Sequence, residues 1–288
     1  MKLAHVVWPV WSLVPVVALA VHFGPGQLAL NEEQAISATA KADDLEAVAQ
    51  AAQDAAHAAH LAWITARRSA SDSGDPADAR AARDAADAAD RAYAEASKAW
   101  QAAADQYQTA QTIWEDLDTT RATAMRIARN RAVIRAGEIT TGVRDLESWL
   151  AEATEHGEGD TELARWARAE IAAGYYYGAR LMRQAGKPTE EWTTVASLAR
   201  QNFRYLAEGQ TDQARAELEQ EQKNLELALN LEHAADDLQW TPRPRNSPQQ
   251  GNTEGLDNRP GGRGVSRRPP GNQDGRGAGG EDGIPAGW

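Results

Sequence analysis

The chain has 288 residues, a formal net charge of −12, a mean hydropathy of −0.60 and no cysteine. Leu, Ile, Val and Phe supply only 43 residues, so the 42% hydrophobic content is carried largely by alanine, which excludes folds built on β-branched strands. The missing cysteine excludes disulfides, thiolate zinc sites, cysteine nucleophiles and an acylated-cysteine anchor.

Residues 1–30 read as a signal peptide or an N-terminal membrane anchor. Lys2 precedes an apolar run from Leu3 to Phe23. Ala18-Leu19-Ala20 fits a signal-peptidase site with cleavage after Ala20. The same run of about 21 residues is long enough to span ~30 Å of hydrocarbon. Trp8 and Trp11 suit a membrane interface, and Glu32 and Glu33 after the run orient the body outward. Both readings place the body in the cell envelope, either periplasmic or anchored through residues 3–23.

Residues 31–120 read as an Ala-rich helical hairpin or coiled coil. A helix is expected from Asn31, as N-cap, to Ala70, with Gln34 completing a capping box. Ser71-Asp72-Ser73-Gly74 breaks it, and Asp75-Pro76 starts the second helix. Ala81, Ala85, Ala88, Ala92, Ala96, Ala99, Ala103, Tyr107, Ala110 and Trp114 follow an 11-residue repeat, which predicts a nearly straight seam. Ala52, Ala55, Ala59, Ala62 and Ala66 offer the facing stripe. The hairpin also offers a surface for a homo-oligomer.

Residues 121–240 carry larger apolar side chains and three turn glycines, Gly137, Gly186 and Gly209. Helices are expected over 121–136, 139–155, 162–185, 189–207 and 211–239. Asp160 is expected to cap the third of these, after an acidic glycine-containing loop. Asn130, Val133, Gly137, Gly142 and Leu146 have the spacing of tetratricopeptide positions, and Asn202, Tyr205, Gly209, Ala214 and Leu218 repeat it 72 residues later. The stretch from Trp166 to Glu208, with Lys223-Asn224-Leu225-Glu226, resembles exported bacterial tetratricopeptide-like proteins that accompany MoxR-type ATPases and von Willebrand A-type proteins. That resemblance implies a partner-binding helical array and brings no catalytic motif.

Residues 241–288 hold 12 of the 23 glycines and 7 of the 12 prolines, and are expected to be a disordered Gly/Pro/Arg-rich tail.

Chemistry-bearing patterns are few. Asp54-x-x-His57-x-x-His60 places three residues of metal-ligand type on one helix face, but a carboxylate-bridged bundle needs a second copy, and none is present. Tyr175, Tyr176 and Tyr177 point to three sides of one helix, as core or as a partner groove. Arg121, Arg126, Arg129, Arg131 and Arg135 make one helix basic, with neutralisation by surrounding acids the favoured reading. No phosphate loop, nucleophile elbow or zincin motif occurs.

The reading is an all-α chain: an Ala-rich antiparallel hairpin, a degenerate tetratricopeptide-like array and a disordered tail. Its expected function is that of a non-enzymatic, exported or membrane-anchored adaptor for a protein partner, with no cofactor and no nucleic acid. The first helix of each pair in such an array lines the concave face, which nominates Asn130, Tyr176, Asn202 and Tyr205 as partner-binding residues. The alternatives are a structural coiled-coil rod of the envelope and a metal-binding bundle using His57 and His60.

Overall fold

Asp75 and Pro76 set the first reversal of the chain: the Asp75 carboxylate accepts from the Ala77 amide at 2.8 Å, and proline takes the first helical position. The computed structural model describes residues 25–208 and 246–257, together with Lys223, Asn224 and Glu226. Six helices cover the first span: α1 (Pro25–Ser73), α2 (Pro76–Glu115), α3 (Thr119–Ala136), α4 (Ile139–Glu155), α5 (Glu162–Gln184) and α6 (Thr189–Glu208). No strand occurs among the described residues, so the chain is all-α there. Each helix packs on the next, and α3 also packs on α5.

The hairpin of α1 and α2 keeps part of the expected α2 seam, at Ala96, Ala103, Tyr107, Ala110 and Trp114, and departs from the rest. One heptad position of α2 carries Tyr93, Trp100, Tyr107 and Trp114, and the other carries Ala89, Ala96, Ala103 and Ala110, all buried. Each aromatic ring lies on one alanine of α1. Tyr93 meets Ala56, Trp100 meets Ala49, Tyr107 meets Ala42 and Trp114 meets Ala35. Seven-residue steps in opposite directions define the antiparallel register and favour a left-handed supercoil.

The 11-residue pattern therefore holds on the later turns of α2, from Ala92 to Trp114, and is corrected elsewhere. Ala81 and Ala88 on α2, and Ala55 and Ala62 on the expected α1 stripe, are exposed. Alanine occupies so many phases of both helices that its spacing does not mark a face. The side chains with volume to bury choose the face instead.

The aromatic row also seats α3. Trp114 touches Ala122, Tyr107 touches Ala128, and Trp100 touches Ala132 and Val133. The other side of α3 sends Ile127 and Ile134 into a second core with Val143, Leu146, Ile171 and Val195. Close approach of α3 and α4 is set at Gly142, where a Cβ would come within 2.6 Å of Ile134 Cγ1. Gly137 ends α3 at φ 110°, the left-handed conformation expected of this turn.

Several expectations change. Residues 25–30, assigned to a leader or anchor, form the first turns of α1, so Asn31 is inside the helix and not its cap. The expected transmembrane helix is corrected for the described residues: none of their helices is long and apolar enough to cross a membrane, because their apolar content is alanine interrupted by charge. The apolar run 3–23 and the site after Ala20 lie outside the described residues. The cap of α5 is Thr161, whose Oγ1 accepts from the Ala164 amide at 3.2 Å, not Asp160. The tetratricopeptide-like spacings around Asn130 and Asn202 fall in α3 and α6. Three chain reversals separate these helices, so they run in opposite directions, and the 72-residue spacing is not a repeat of one helix pair. Gly209, Ala214, Leu218 and most of the expected helix 211–239 lie outside the described residues.

Candidate functional site

A helix end leaves backbone groups without intrahelical partners, and the turn between α3 and α4 offers both kinds side by side. Glu138, the N-cap of α4, makes no side-chain cap bond. The partner comes from 112 residues away. Residues 246–257 cross the bundle as a strap, and its Asn252 bridges the turn. The Asn252 amide donates to the Gly137 carbonyl at 2.7 Å, and its carbonyl accepts from the Thr140 amide at 3.2 Å and Thr140 Oγ1 at 3.1 Å. Over these residues the expected disorder of the tail is corrected. The strap needs no core of its own, because it completes helix ends that are already formed.

Glycines carve the groove. A Cβ on Gly137 would come within 2.7 Å of the Gln250 carbonyl oxygen, and one on Gly178 would collide with the Leu256 side chain. Gly178 lies inside α5, where glycine costs ~0.5–1 kcal/mol relative to alanine. In return it opens the seat in which Leu256 is 4% exposed. The strap answers with glycines of its own. A Cβ on Gly251 would meet the Gly137 carbonyl oxygen at 2.8 Å, and Gly255 turns at φ 69° with its carbonyl accepting from Arg144 Nη2 at 2.9 Å.

The other end of the strap is held by the hairpin. Gln53, 1% exposed in the α1 face, donates from Nε2 to the Ser247 carbonyl at 3.0 Å. Gln50 reaches Asn246, and Gln249 bonds to Asp90 of α2. Open clefts flank the strap on both sides. A cavity of about 390 Å³ lies beside Pro248, Gln249 and Gln250, walled by Tyr93, Lys98 and Arg135. A second, of about 630 Å³, lies beside Asn252, Glu254 and Gly255, walled by Thr140, Thr141 and Arg144.

The four nominated residues are placed in separate contacts. Asn130 is 1% exposed and donates to the Arg126 carbonyl at 2.9 Å and to Asp145 at 2.5 Å, between α3 and α4. Tyr176 is buried in the second core and meets Tyr177 edge-on at 6.0 Å. Asn202 is half-buried and donates back to the Leu198 carbonyl at 2.8 Å. Tyr205 donates to Asp160 while the Arg168 guanidinium lies 3.9 Å over its ring. Burial first, then the bond to Asp160, raise the Tyr205 phenol above its ordinary value, against the Arg168 charge, which lowers it.

The basic face of α3 is spent on ion pairs. Arg126 and Arg129 approach Asp145 at 2.8 and 3.9 Å, while Arg131 and Arg135 approach Glu46 at 2.5 and 3.8 Å. Tyr107 also donates to Glu46, at 2.5 Å, and to Asp43 at 2.8 Å. Neutralisation by neighbouring acids is thus what the arginines show. The metal-like spacing is used for packing. His60 is 5% exposed, with its ring centroid 5.2 Å from that of Trp63, and Asp54 accepts from Gln50. Among the described residues no three His, Asp or Glu side chains gather as metal ligands. No family model, curated protein or solved structure matches this chain.

The residues that build the groove were missed in the sequence. Each left a signal: Gln53 is an amide on an alanine face, Gly178 sits inside a helix, and Leu256 is one of few large apolar side chains in a Gly/Pro-rich stretch.

Proposed function

We propose that this chain is a non-catalytic helical scaffold that binds an extended segment of a protein partner, with helices α3–α6 as the receiving array and the α1–α2 hairpin as a spacer arm. The observation that carries this reading is the strap: the array already holds an extended segment, by helix-end backbone groups and a leucine seat. Such contacts read a backbone and one anchor side chain, the combination that gives an extended peptide affinity and specificity. Packing of each helix from α3 to α6 on the next, with α3 also touching α5, supports a helical array. Spacer use of the hairpin is supported by its length: α1 alone has 49 residues, roughly 70 Å at 1.5 Å per residue.

The test is site-specific photocrosslinking in the cells that make the protein. A photoreactive residue at Thr141 or Trp166, both on the array, is expected to trap one discrete protein, and one at Asp84 on the outer hairpin is expected to trap none. Trapping at no array position overturns the scaffold reading.

A further inference from the structure

The strap leaves open space on both flanks, and the groove beneath it reads mainly backbone. We propose that the groove is a docking site for an extended segment of a partner protein carrying Gly-x-x-x-Gly-Leu, and that the strap is its resident competitor; this rests on the scaffold reading above. The signature follows from contact. The first glycine must pass within touching distance of the Gly137 carbonyl and Ile139, as Gly251 does. The second must take positive φ, as Gly255 does at 69°. The leucine must enter the hole left by Gly178, as Leu256 does. Gly-Leu occurs once in this sequence, at 255–256, so no other segment of the chain fits.

Tethering sets what a partner needs. Residues 209–245 join α6 to the strap, so the strap competes for the groove from within the same chain. A partner must therefore bind the open groove more tightly than a free copy of the strap would. The two cavities, about 390 and 630 Å³, supply room for that gain on either side of the shared signature. Large side chains before the first glycine would enter the space beside Lys98 and Arg135, and those at the x positions the space beside Thr141 and Arg144. The strap then acts as a threshold, since only a segment that fills what it leaves empty displaces it.

The test uses the full-length chain with its strap disabled by Leu256→Asp and a fluorescent peptide of residues 246–257 as probe. Expected is saturable binding at least tenfold tighter than to the wild-type chain, where the intact strap competes. Binding is expected to vanish when the peptide carries Gly251→Val. Equal affinity for both chains, or indifference to Gly251→Val, overturns the proposal. If Leu256→Asp loses helical content, the same titration on a chain with Gly251→Val in its own strap decides. A peptide that does not bind, together with partner adducts on the array, sinks the docking site and leaves the scaffold standing. Peptide binding with no adduct at any array position overturns the scaffold reading, and the partner docking site falls with it.

Discussion

Asp145 holds its charge against partial burial. Burial alone would raise its pKa, but hydrogen bonds from Arg126 and Asn130, with the charges of Arg126 and Arg129, outweigh it and leave the carboxyl below its ordinary value of 3.8. A carboxyl depressed in the folded state adds stability that is present above its unfolded pKa and lost as pH falls through the folded one. Asp145→Asn removes the charge and one acceptor at nearly constant shape. The expected cost at pH 7 is about 2 kcal/mol, the scale of a hydrogen bond to a charged group. Urea titrations at several pH values check it. The gap between wild type and variant is expected to hold down to about pH 5 and to close below the ordinary carboxylate range. A gap independent of pH would mean that Asp145 contributes shape alone. Tyr107 is the neutral counterpart: burial first, then its bonds to the Glu46 and Asp43 carboxylates, raise its phenol far above the usual value, so it stays a donor.

Among the elements, the hairpin seam separates what a sequence shows from what it hides. Helix ends were legible, since Asp75-Pro76, Gly137 and Gly186 each act through their own backbone conformation and need no distant partner. The seam was less so. Alanine is the commonest residue on both helices and buries little, so its spacing carries almost no energy, whereas four aromatic rings seven residues apart carry most of it. The groove was hidden for a different reason: Gly178 and Leu256 explain each other only once the chain has folded. Seam and stripe are separable by measurement. Ala42 is fully buried under Tyr107, and Ala81 is exposed. Ala42→Leu is expected to lower stability by ~1–3 kcal/mol through overpacking, read as a lower midpoint in urea or heat. Ala81→Leu belongs to the 11-residue pattern alone and is expected to change stability by less than about 0.5 kcal/mol. The opposite ranking would restore the alanine stripe as the packing face.

For the molecule as a whole, α3 is the element on which the two halves depend. Its alanines, Ala122, Ala128 and Ala132, receive the aromatic row of the hairpin, while Ile127 and Ile134 on its other side belong to the array core. The outer hairpin has no third helix, and beyond Ala56 and Tyr93 only His60, Ile64 and Ala89 are buried among the described residues. Loss of packing on one side of α3 should therefore loosen the other side, and the hairpin tip should stand apart. Ile134→Ala removes a side chain that is 1% exposed, and such a truncation costs ~2–5 kcal/mol. Native-state hydrogen exchange locates where that loss is felt. The amides of Trp100 in the hairpin and Leu146 in the array are expected to lose protection by the same factor, with those of residues 70–84 near the tip unchanged. A loss confined to Leu146 would mean that hairpin and array unfold separately, with α3 merely resting against the aromatic row. A shared loss makes α3 the path by which an event in the strap groove, at the end of α3, reaches the hairpin arm.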